Sequence, residues 1–436
     1  SSPEILLFSF KNYQPVSKTN PRLWHSGLVS LLPASASSDA KLIIATRGVR
    51  AFVDGIAYVV LPAFLLHLGF SGVQVGAIVT ASLLGSAALT LAVGVTAHRF
   101  SIERLLAYSS WLMVVTGIAF GLSTPFIVLL IVAAIGTMNP SAGDVSVFLP
   151  LEQATLSATV TDSDRTGVFA VFNLVGSLVG AIGALCAGIP IWLVTSMGHD
   201  SEVGQRAAFV LYGIAGLLLL AIYSRLSPAS RTRTTKADSA LGTESRKTVY
   251  TLAALFSLDS FGGGFATQAI FALWVYRRFD LSPGTLGIIF FSAGILSAFS
   301  SLLAVRVSRR IGLVRTMVFT HIPASVLLAA VVLAPNVWWA MGLFIVRGLL
   351  SQMDVPVRTS YVMAVVQPHE RAAAASITNV PRSLASALPP LAAGWMLDQS
   401  NFAWPLLICA ACKITYDLLL LMMFRNVRPP EEATKN

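Results

Sequence analysis

The chain has 436 residues, of which 55% are hydrophobic and 11% are charged, and its formal net charge is +10. Soluble domains are about 25% charged, and a soluble protein of this composition would expose large apolar patches to water. Apolar windows repeatedly exceed the roughly 18 residues that cross a hydrocarbon core. The composition excludes an ordinary soluble protein and predicts an all-α integral membrane protein.

Residues 1–40 are mixed polar and lack the basic, apolar and small-residue pattern of a signal peptide, so we expect a cytoplasmic tail. Six apolar spans follow, then a basic Ser/Thr-rich segment, and then six more spans. The first six are predicted at 42–67, 72–97, 104–122, 125–158, 166–194 and 207–225. The second six are predicted at 248–276, 284–305, 313–334, 337–365, 372–398 and 403–424. The turns are short, which makes neighbouring helices antiparallel.

The basic segment, 226–247, has no helical apolar period and cannot bury enough apolar surface to order itself. We interpret it as a linker between two six-helix bundles, 41–225 and 248–425, with a C-terminal tail at 426–436. Lys and Arg concentrate on the side of the bundles that carries the linker. By the positive-inside rule this side and both chain ends are cytoplasmic, in the plasma membrane. The same rule explains the net charge without a nucleic-acid partner.

The three cysteines do not predict a disulfide framework. Cys409 and Cys412 form a C-x-x-C inside the last span, with no cluster of His or Cys that would favour metal or redox chemistry. We interpret them as small packing residues, and we predict neither a metal site nor a cofactor.

The two halves of the chain repeat each other. At an offset of 211, L-G-F-S-G-V-Q-V-G from Leu68 matches F-D-L-S-P-G-T-L-G from Phe279, and H-R-F-S-I-E-R matches R-R-I-G-L-V-R from Arg309. At an offset of 206, P-L-E from Pro150 matches P-V-R, and D-R-T-G-V-F-A-V-F-N matches E-R-A-A-A-A-S-I-T-N from Glu370. A five-residue deletion separates the two sets. Such matches around a central linker predict two parallel six-helix repeats.

The turn after the second span, G-V-T-A-H-R-F-S-I-E-R, resembles the G-x-x-x-D-R-x-G-R-R turn of the major facilitator superfamily. His98, Ser101 and Glu103 depart from that pattern, and the second copy has Arg309 at the acidic position. The positions that match the family's glycines and basic residues, over both copies, are Gly94, Arg99, Arg104, Arg310, Gly312 and Arg315.

Two further stretches resemble the efflux-type members of this family in prokaryotes. One is P-V-R-T-S-Y-V-M-A-V-V-Q-P-H-E-R from Pro356, and the other is G-S-L-V-G-A-I-G from Gly176, where Ala181 replaces the proline of the antiporter motif. The fourth span also lacks the arginine of that class. The resemblance covers about 42–425 and implies twelve transmembrane helices in two pseudo-symmetric bundles, alternating-access transport of a small molecule, and a monomer.

Ionisable residues inside the spans are the candidate site residues, because each costs roughly 2.5–3.5 kcal/mol or more at the bilayer centre. In transporters of this type the substrate path lies between the halves near the midplane. Asp54 is about 20 Å along the first helix, with Arg47 and Arg50 on the same face. Two interpretations stay open: Arg50 and Asp54 neutralise each other, or Asp54 is a protonatable carboxylate held by a cation.

Asp259 precedes three glycines, Gly262, Gly263 and Gly264, in the seventh span. Each glycine costs about 0.8–1.0 kcal/mol relative to alanine in a helix. We interpret the three as a gate hinge beside a site residue, and the alternative is close packing against a neighbouring helix.

Glu152 and Arg358 occupy equivalent positions of the two repeats with opposite charge. On the resemblance their helices face each other across the cavity, and we expect a salt bridge that opens as the halves rock; the alternative is that one of them is solvated at the cytoplasmic mouth. Arg382 either binds substrate or caps an interior turn. Lys413 and Asp417 are predicted to pair at i,i+4. Weaker candidates are Asp144, Asp354 and Arg347.

Three functions compete on this sequence. The first is a proton-coupled exporter of a small organic compound, in which Asp54 and Asp259 carry protons and Arg358 balances charge. The second is uptake or symport of an anionic metabolite through Arg50, Arg358 and Arg382. The third is a membrane sensor on the same fold, which the short tails disfavour. Enzyme motifs for metal, phosphate or nucleophile chemistry are missing from the sequence.

Overall fold

The computed structural model describes residues 37–96, 99–141, 146–158, 162–227, 242–367, 370–400 and 402–425, and these residues form helices without strands. The first half contains α1 (Ser38–His67), α2 (Gly72–Thr96), α3 (Ile102–Leu122), α4 (Phe126–Ile135), α5 (Phe148–Ala158), α6 (Asp162–Leu185), α7 (Ile189–Ser196) and α8 (Ser201–Tyr223). The second half contains α9 (Thr243–Gly264), α10 (Gln268–Phe279), α11 (Pro283–Ile311), α12 (Leu313–Leu333), α13 (Val337–Gly348), α14 (Asp354–Ala364), α15 (Arg371–Ala387), α16 (Pro389–Gln399) and α17 (Trp404–Phe424).

Eight stretches of the described chain are helical, long and apolar enough to cross a membrane. They correspond to the first, second, third, fifth, sixth, eighth, ninth and twelfth predicted spans. Leu122, Leu333 and Met422 on these helices are 72–73% exposed. Large apolar side chains in such numbers on the outside of a bundle fit lipid rather than water, so the prediction of a multi-pass helical membrane protein is confirmed.

The other four predicted spans each consist of two helices separated by a break, whereas the fifth continues from α6 through a 3-10 turn (Cys186–Gly188) into α7. The fourth span is α4 and α5, the seventh is α9 and α10, the tenth is α13 and α14, and the eleventh is α15 and α16. Hydropathy does not detect these breaks, because the apolar composition continues through them. Gly136 to Pro140, inside the first break, are buried. Irregular backbone is tolerated at membrane depth where protein covers it.

The helix boundaries reproduce the internal repeat. Helices α3 and α12 begin and end at residues 211 apart, and α4 and α13 begin 211 apart. Helices α5 and α14 have 11 residues each and begin 206 apart. The five-residue change of offset therefore falls in the break of the fourth span and its counterpart in the tenth.

The basic turns lie at the end of the bundle that carries the linker. Gly312 has φ 89° and ψ 164° between α11 and α12, a conformation that glycine adopts without strain, so the chain reverses within one residue. Arg99, Arg104, Arg310 and Arg315 are exposed at these turns, and Gly94 lies near the end of α2. His98 lies outside the described residues.

Both ends of the linker are bonded to their own half. The Asp39 carboxylate, in the first turn of α1, accepts hydrogen bonds from the Ser227 backbone N–H (3.1 Å) and from its hydroxyl (2.5 Å). The Glu370 carboxylate accepts from the Ser245 hydroxyl (2.6 Å) and the Gly242 N–H. Residues 228–241, between these anchors, lie outside the described part of the chain.

Candidate functional site

A buried ion pair lies inside the first half. The Arg50 guanidinium, on α1, donates from Nη2 to Glu152 Oε2 on α5 at 2.6 Å, and the two residues are 2% and 0% exposed. The Tyr223 hydroxyl donates to Glu152 Oε1 at 2.7 Å, and Arg50 Nη1 donates to the Ser146 hydroxyl at 3.2 Å. Arg50 also lies 5.1 Å from the centre of the Phe148 ring. These contacts and the low exposure show that the Arg50–Glu152 pair is buried inside the first half.

The interpretation that Arg50 and Asp54 neutralise each other was wrong, because the ion-pair partner of Arg50 is Glu152. Asp54, one turn further along α1, is partly buried beside the Tyr212 hydroxyl. That hydroxyl donates to the Thr137 carbonyl at 3.0 Å, in the break of the fourth span. Asp54 therefore sits where the backbone of the first half is irregular.

A larger cluster lies inside the second half, centred on Asp259 of α9. Asp259 Oδ2 accepts from Arg358 Nη1 on α14 at 2.9 Å, and Oδ1 accepts from Lys413 Nζ on α17 at 2.7 Å. Asp354 Oδ2, one turn before Arg358 on α14, lies 3.5 Å from its guanidinium. Asp259, Asp354 and Arg358 are 3–5% exposed, so these charges depend on one another rather than on water.

His321 extends this cluster to a third carboxylate, and sequence reasoning missed it. His321 Nδ1, on α12, lies 3.0 Å from Asp417 Oδ2, and Nε2 lies 3.4 Å from Lys413 Nζ. An ammonium group can only donate, so this geometry fits the neutral imidazole with its proton on Nδ1. A histidine in the middle of an apolar span, next to the helix proline Pro323, was the signal that could have found it.

Two predicted pairs were wrong. Glu152 and Arg358 do not bridge the halves, because each sits one turn into the second helix of a broken span and points into its own bundle. Lys413 and Asp417 do not pair with each other: Lys413 reaches Asp259 on α9, and Asp417 reaches His321 on α12. Neighbouring helices on the two sides of α17 supply stronger partners than the helix itself.

The remaining candidates surround the second cluster. Arg382 Nε, on α15, donates to the Ser260 hydroxyl next to Asp259 at 2.9 Å. Arg347 lies near Asp354 and Cys409, with its guanidinium 6.0 Å from the centre of the Phe344 ring. Asp144 lies outside the described residues.

The three glycines end α9, and the chain is not helical again until Gln268. A Cβ on Gly262 would lie 2.7 Å from Cys412 Cβ, and one on Gly264 would lie 2.5 Å from the Ser386 carbonyl oxygen. At Gly263 the nearest atom would be Lys413 Nζ at 3.8 Å. Two of the glycines therefore permit close helix contact, which was the alternative interpretation, and the hinge stays a prediction.

The halves contact each other at the end remote from the linker. The Ala269 N–H donates to the Pro140 carbonyl at 3.2 Å, and the Tyr276 hydroxyl donates to the Val59 carbonyl at 2.8 Å. Tyr58 packs edge-on against Phe290 with ring centres 5.4 Å apart. Helix α2 also crosses α16, and α6 crosses α11, through glycines. This end of the bundle is closed.

Two pseudo-symmetric membrane bundles that enclose charged clusters and meet at one end define a membrane transporter. A sequence profile described as Major Facilitator Superfamily matches residues 43–276 and 252–436. The chain belongs to this superfamily.

Relatives of known structure share the fold at low identity. A bacterial homolog of the human lysosomal transporter Spinster, inward-facing and unoccupied, aligns with TM-score 0.70 and 14% identity over 91% of this chain and 99% of that one. The xylose transporter XylE of E. coli, inward open, aligns with TM-score 0.67 and 14% identity over 87% and 95%. The nucleoside transporter NupG aligns with TM-score 0.69 and 14% identity over 89% and 100%.

One relative matches in sequence over almost its full length. The uncharacterized membrane protein YJR124C of Saccharomyces cerevisiae (strain ATCC 204508 / S288c) is 24% identical over 427 residues, which cover 90% of this chain and 95% of the yeast protein. Family and fold together indicate a transporter rather than an enzyme.

Proposed function

We propose that this chain is a proton-coupled secondary transporter that exports a small organic solute by alternating access. The observation that carries the proposal is the buried chain of groups Asp259, Lys413, His321 and Asp417, with Arg358 at one end. An imidazole can take up a proton at one ring nitrogen and release it at the other, so His321 can relay a proton between Asp417 and Lys413. A proton that enters this chain changes the charge that Asp259 shares with Arg358 and Lys413.

The coupling step follows from the partners of Asp259. Protonation of its carboxylate removes the charge shared by Arg358 on α14 and Lys413 on α17. Arg358 then keeps Asp354 and Lys413 keeps His321 as a partner, and this change favours another arrangement of the helices. Arg358 lies in the second helix of a broken span, where the backbone is already interrupted. Asp54 is the corresponding proton carrier of the first half in this proposal, and Arg358 balances charge.

The alternative is uptake or symport of an anionic metabolite through Arg50, Arg358 and Arg382. The pairing of Arg50 with Glu152 and of Arg358 with Asp259 and Asp354 disfavours it, because both guanidinium groups are neutralised before any anion arrives. Breaking a buried pair costs about 3–5 kcal/mol, which an anionic substrate would have to offset. The antiporter-like stretch from Gly176 supports export.

Purified protein in liposomes with an imposed pH gradient tests the coupling. A thermal-shift screen of a compound library at two pH values first identifies ligands that stabilise the protein. We expect Asp259→Asn and Asp54→Asn to abolish gradient-driven transport of such a ligand while the protein remains folded. Normal coupled transport by both variants would remove the proton mechanism. The direction of flux in vesicles of known sidedness decides between export and uptake.

The same proposal places the linker and both chain ends in the cytoplasm and the protein in the plasma membrane as a monomer. The exposed Arg99, Arg104, Arg310 and Arg315 support this orientation, since they lie at the linker end of the bundle. Protease access to the linker in sealed inside-out vesicles, and protection in right-side-out vesicles, is the expected result.

A further inference from the structure

The outer end, meaning the end of the bundle remote from the linker, is closed by two helix crossings that are copies of each other. A Cβ on Gly76 of α2 would overlap the Pro390 carbonyl oxygen of α16, and a Cβ on Gly287 of α11 would overlap the Ala184 carbonyl oxygen of α6. Gly287 is 211 residues beyond Gly76, and Pro390 is 206 beyond Ala184, so the offsets are those of the repeat. Both crossings depend on the same close approach of backbones.

Hydrogen bonds across the α2–α16 crossing involve a carboxylate that has no counterpart in the other. The Asp398 carboxylate, near the end of α16, accepts from the Gly72 N–H at 2.6 Å and from the Val73 N–H at 2.7 Å. These are first-turn N–H groups of α2, in the other half of the molecule. The Leu391 N–H of α16 also donates to the Thr80 hydroxyl of α2 at 3.0 Å.

At the α6–α11 crossing, the positions equivalent to Asp398 and Gly72 hold residues that cannot form these hydrogen bonds. Trp192 stands 206 residues before Asp398 and is 68% exposed, and it carries no carboxylate. Pro283 stands 211 residues after Gly72 at the start of α11, and proline has no backbone N–H. The residues at these equivalent positions therefore cannot form the contact that Asp398 makes with the first turn of α2.

The Asp398 side chain is also held in position by a residue of its own half, Arg277. Arg277 Nη1, in the last turn of α10, donates to Asp398 Oδ1 at 2.7 Å and to the Leu397 carbonyl at 3.0 Å. The side chains of Arg277 and Asp398 are 22% and 19% exposed. An anion at a helix N-terminus is stabilised by the free N–H groups and by the helix dipole, and charged acceptors form the stronger hydrogen bonds.

We propose that Asp398 is the latch of the outer end: it holds the halves together there, and its bonds to α2 break whenever the transporter opens outward. The proposal rests on alternating access alone. It requires neither proton coupling nor an exported substrate, so it stands or fails separately from them. Replacing the carboxylate shifts the molecule towards the outward-open state, because the described residues of the α6–α11 crossing include no carboxylate that could hold the halves together in its place.

Spin labels across the outer end test the latch in the intact protein. Val203 in the first half is 46% exposed and Gln399 in the second half is exposed. Both are replaced by cysteine and labelled after Cys186, Cys409 and Cys412 are changed to serine. Double electron–electron resonance on protein in lipid nanodiscs, without substrate, then measures the distribution of distances between the labels.

We expect Asp398→Asn to raise the ratio of long to short distances about tenfold, which corresponds to the loss of one charged hydrogen bond. The matched control is Asp280→Asn, an exposed carboxylate of the same half at the end of α10, where asparagine fits the left-handed backbone (φ 49°). The control should leave the distribution unchanged.

If Asp398→Asn does not fold, Thr80→Val tests the same crossing, because it removes the bond from Leu391 without changing charge. A smaller shift in the same direction is then expected. An unchanged distribution in a folded variant of Asp398, or of Thr80 where it is the one tested, would overturn the proposal. An equal shift in Asp280→Asn would overturn it too, since any loss of outer charge would then have the same effect.

Discussion

The two halves of the molecule bury charge at the same positions of their repeats and use it differently. In the first half, an arginine of the first span pairs with a glutamate of α5; in the second, an aspartate of the seventh span pairs with an arginine of α14. Glu152 and Arg358 are 206 residues apart and occupy equivalent positions, whereas Arg50 and Asp259 are 209 apart, so the two pairs have opposite polarity and share one equivalent position. Reversal of the whole pair leaves each pair neutral.

The difference lies in what surrounds each pair. Hydroxyl groups of Tyr223 and Ser146 complete the first pair. Lys413, His321 and Asp417 extend the second, so that this cluster spans the four helices α9, α12, α14 and α17. His321 is 211 residues beyond Ser110, whose hydroxyl donates to the Leu106 carbonyl of its own helix at 2.8 Å. The first cluster is a carboxylate–guanidinium pair completed by hydroxyl groups, whereas the second adds an ammonium, an imidazole and a further carboxylate.

The largest expected effect breaks the first pair. Glu152→Gln leaves the buried Arg50 without its carboxylate, which costs about 3–5 kcal/mol of unfolding free energy. We expect a strongly lowered thermal unfolding midpoint of the purified protein. The double variant Arg50→Met with Glu152→Leu removes both charges and should recover most of the loss.

Glu202→Gln is the control for this comparison, since its partner Arg206 lies in a partly exposed i,i+4 pair (2.6 Å). Such pairs contribute about 0.2–1 kcal/mol. Equal midpoints for Glu152→Gln and Glu202→Gln would contradict the view that the first pair is a structural one.

The next effect concerns the centre of the second cluster. Asp259→Asn leaves Arg358 with Asp354 and Lys413 with His321, so the cations keep partners. We expect a loss of about 1–3 kcal/mol in unfolding free energy, smaller than that of Glu152→Gln in parallel thermal unfolding. A loss as large as that of Glu152→Gln would mean that the two clusters do the same structural work.

A third substitution converts the second half towards the first. His321→Ser places at this position the residue that the repeat has at Ser110. Because a serine hydroxyl cannot take up a proton at one atom and release it at another as an imidazole can, we expect the transport rate measured between about pH 5 and 8 to lose most of its pH dependence and to fall about tenfold. Transport by liposomes over this pH range measures it, and Asp417→Asn should act in the same direction. An unaltered pH profile in His321→Ser would exclude the histidine from the coupling path.

The smallest expected effects separate packing from hinge motion next to Asp259. Alanine at Gly262 or Gly264 forces a Cβ against α17 or α15, and overpacking costs about 1–3 kcal/mol. Alanine at Gly263 meets only the end of Lys413, so its stability should change by less than about 1 kcal/mol. Thermal unfolding measures the difference. If Gly263→Ala slows transport as much as the other two without loss of stability, the hinge is supported.

Much of the fold was predictable, because hydropathy and the repeat depend on composition and order alone. The predicted first and last residues of the spans, and the turn at Gly312, agree with the structure within a few residues. The broken fourth, seventh, tenth and eleventh spans were not predictable, since apolar residues continue through each break. The repeat contained a hint, because its offset changes between Arg315 and Pro356, where the tenth span breaks.

The charged residues of the site were predictable one by one, but their partners were not. An ionisable residue in an apolar span stands out in any sequence, which is how Arg50, Glu152, Asp259 and Arg358 were found. Partner choice depends on the rotation of each helix, and one residue turns the side chain by about 100°. Lys413 and Asp417 share a helix face in sequence and still reach different helices in the structure.

The linker is anchored by hydrogen bonds at both ends, and these anchors define the length of chain that connects the two halves. Ser227 is bonded to Asp39 and Gly242 to Glu370, so the 14 residues 228–241 run between two points that each belong to one half. Fully extended, a stretch of this length reaches about 50 Å, which is the upper limit on the distance between the two anchors. A covalent connection of limited length raises the local concentration of one half around the other. If the two halves were expressed as separate chains, we expect them to associate through the same helix crossings, and the extent of assembly would then depend on their concentrations.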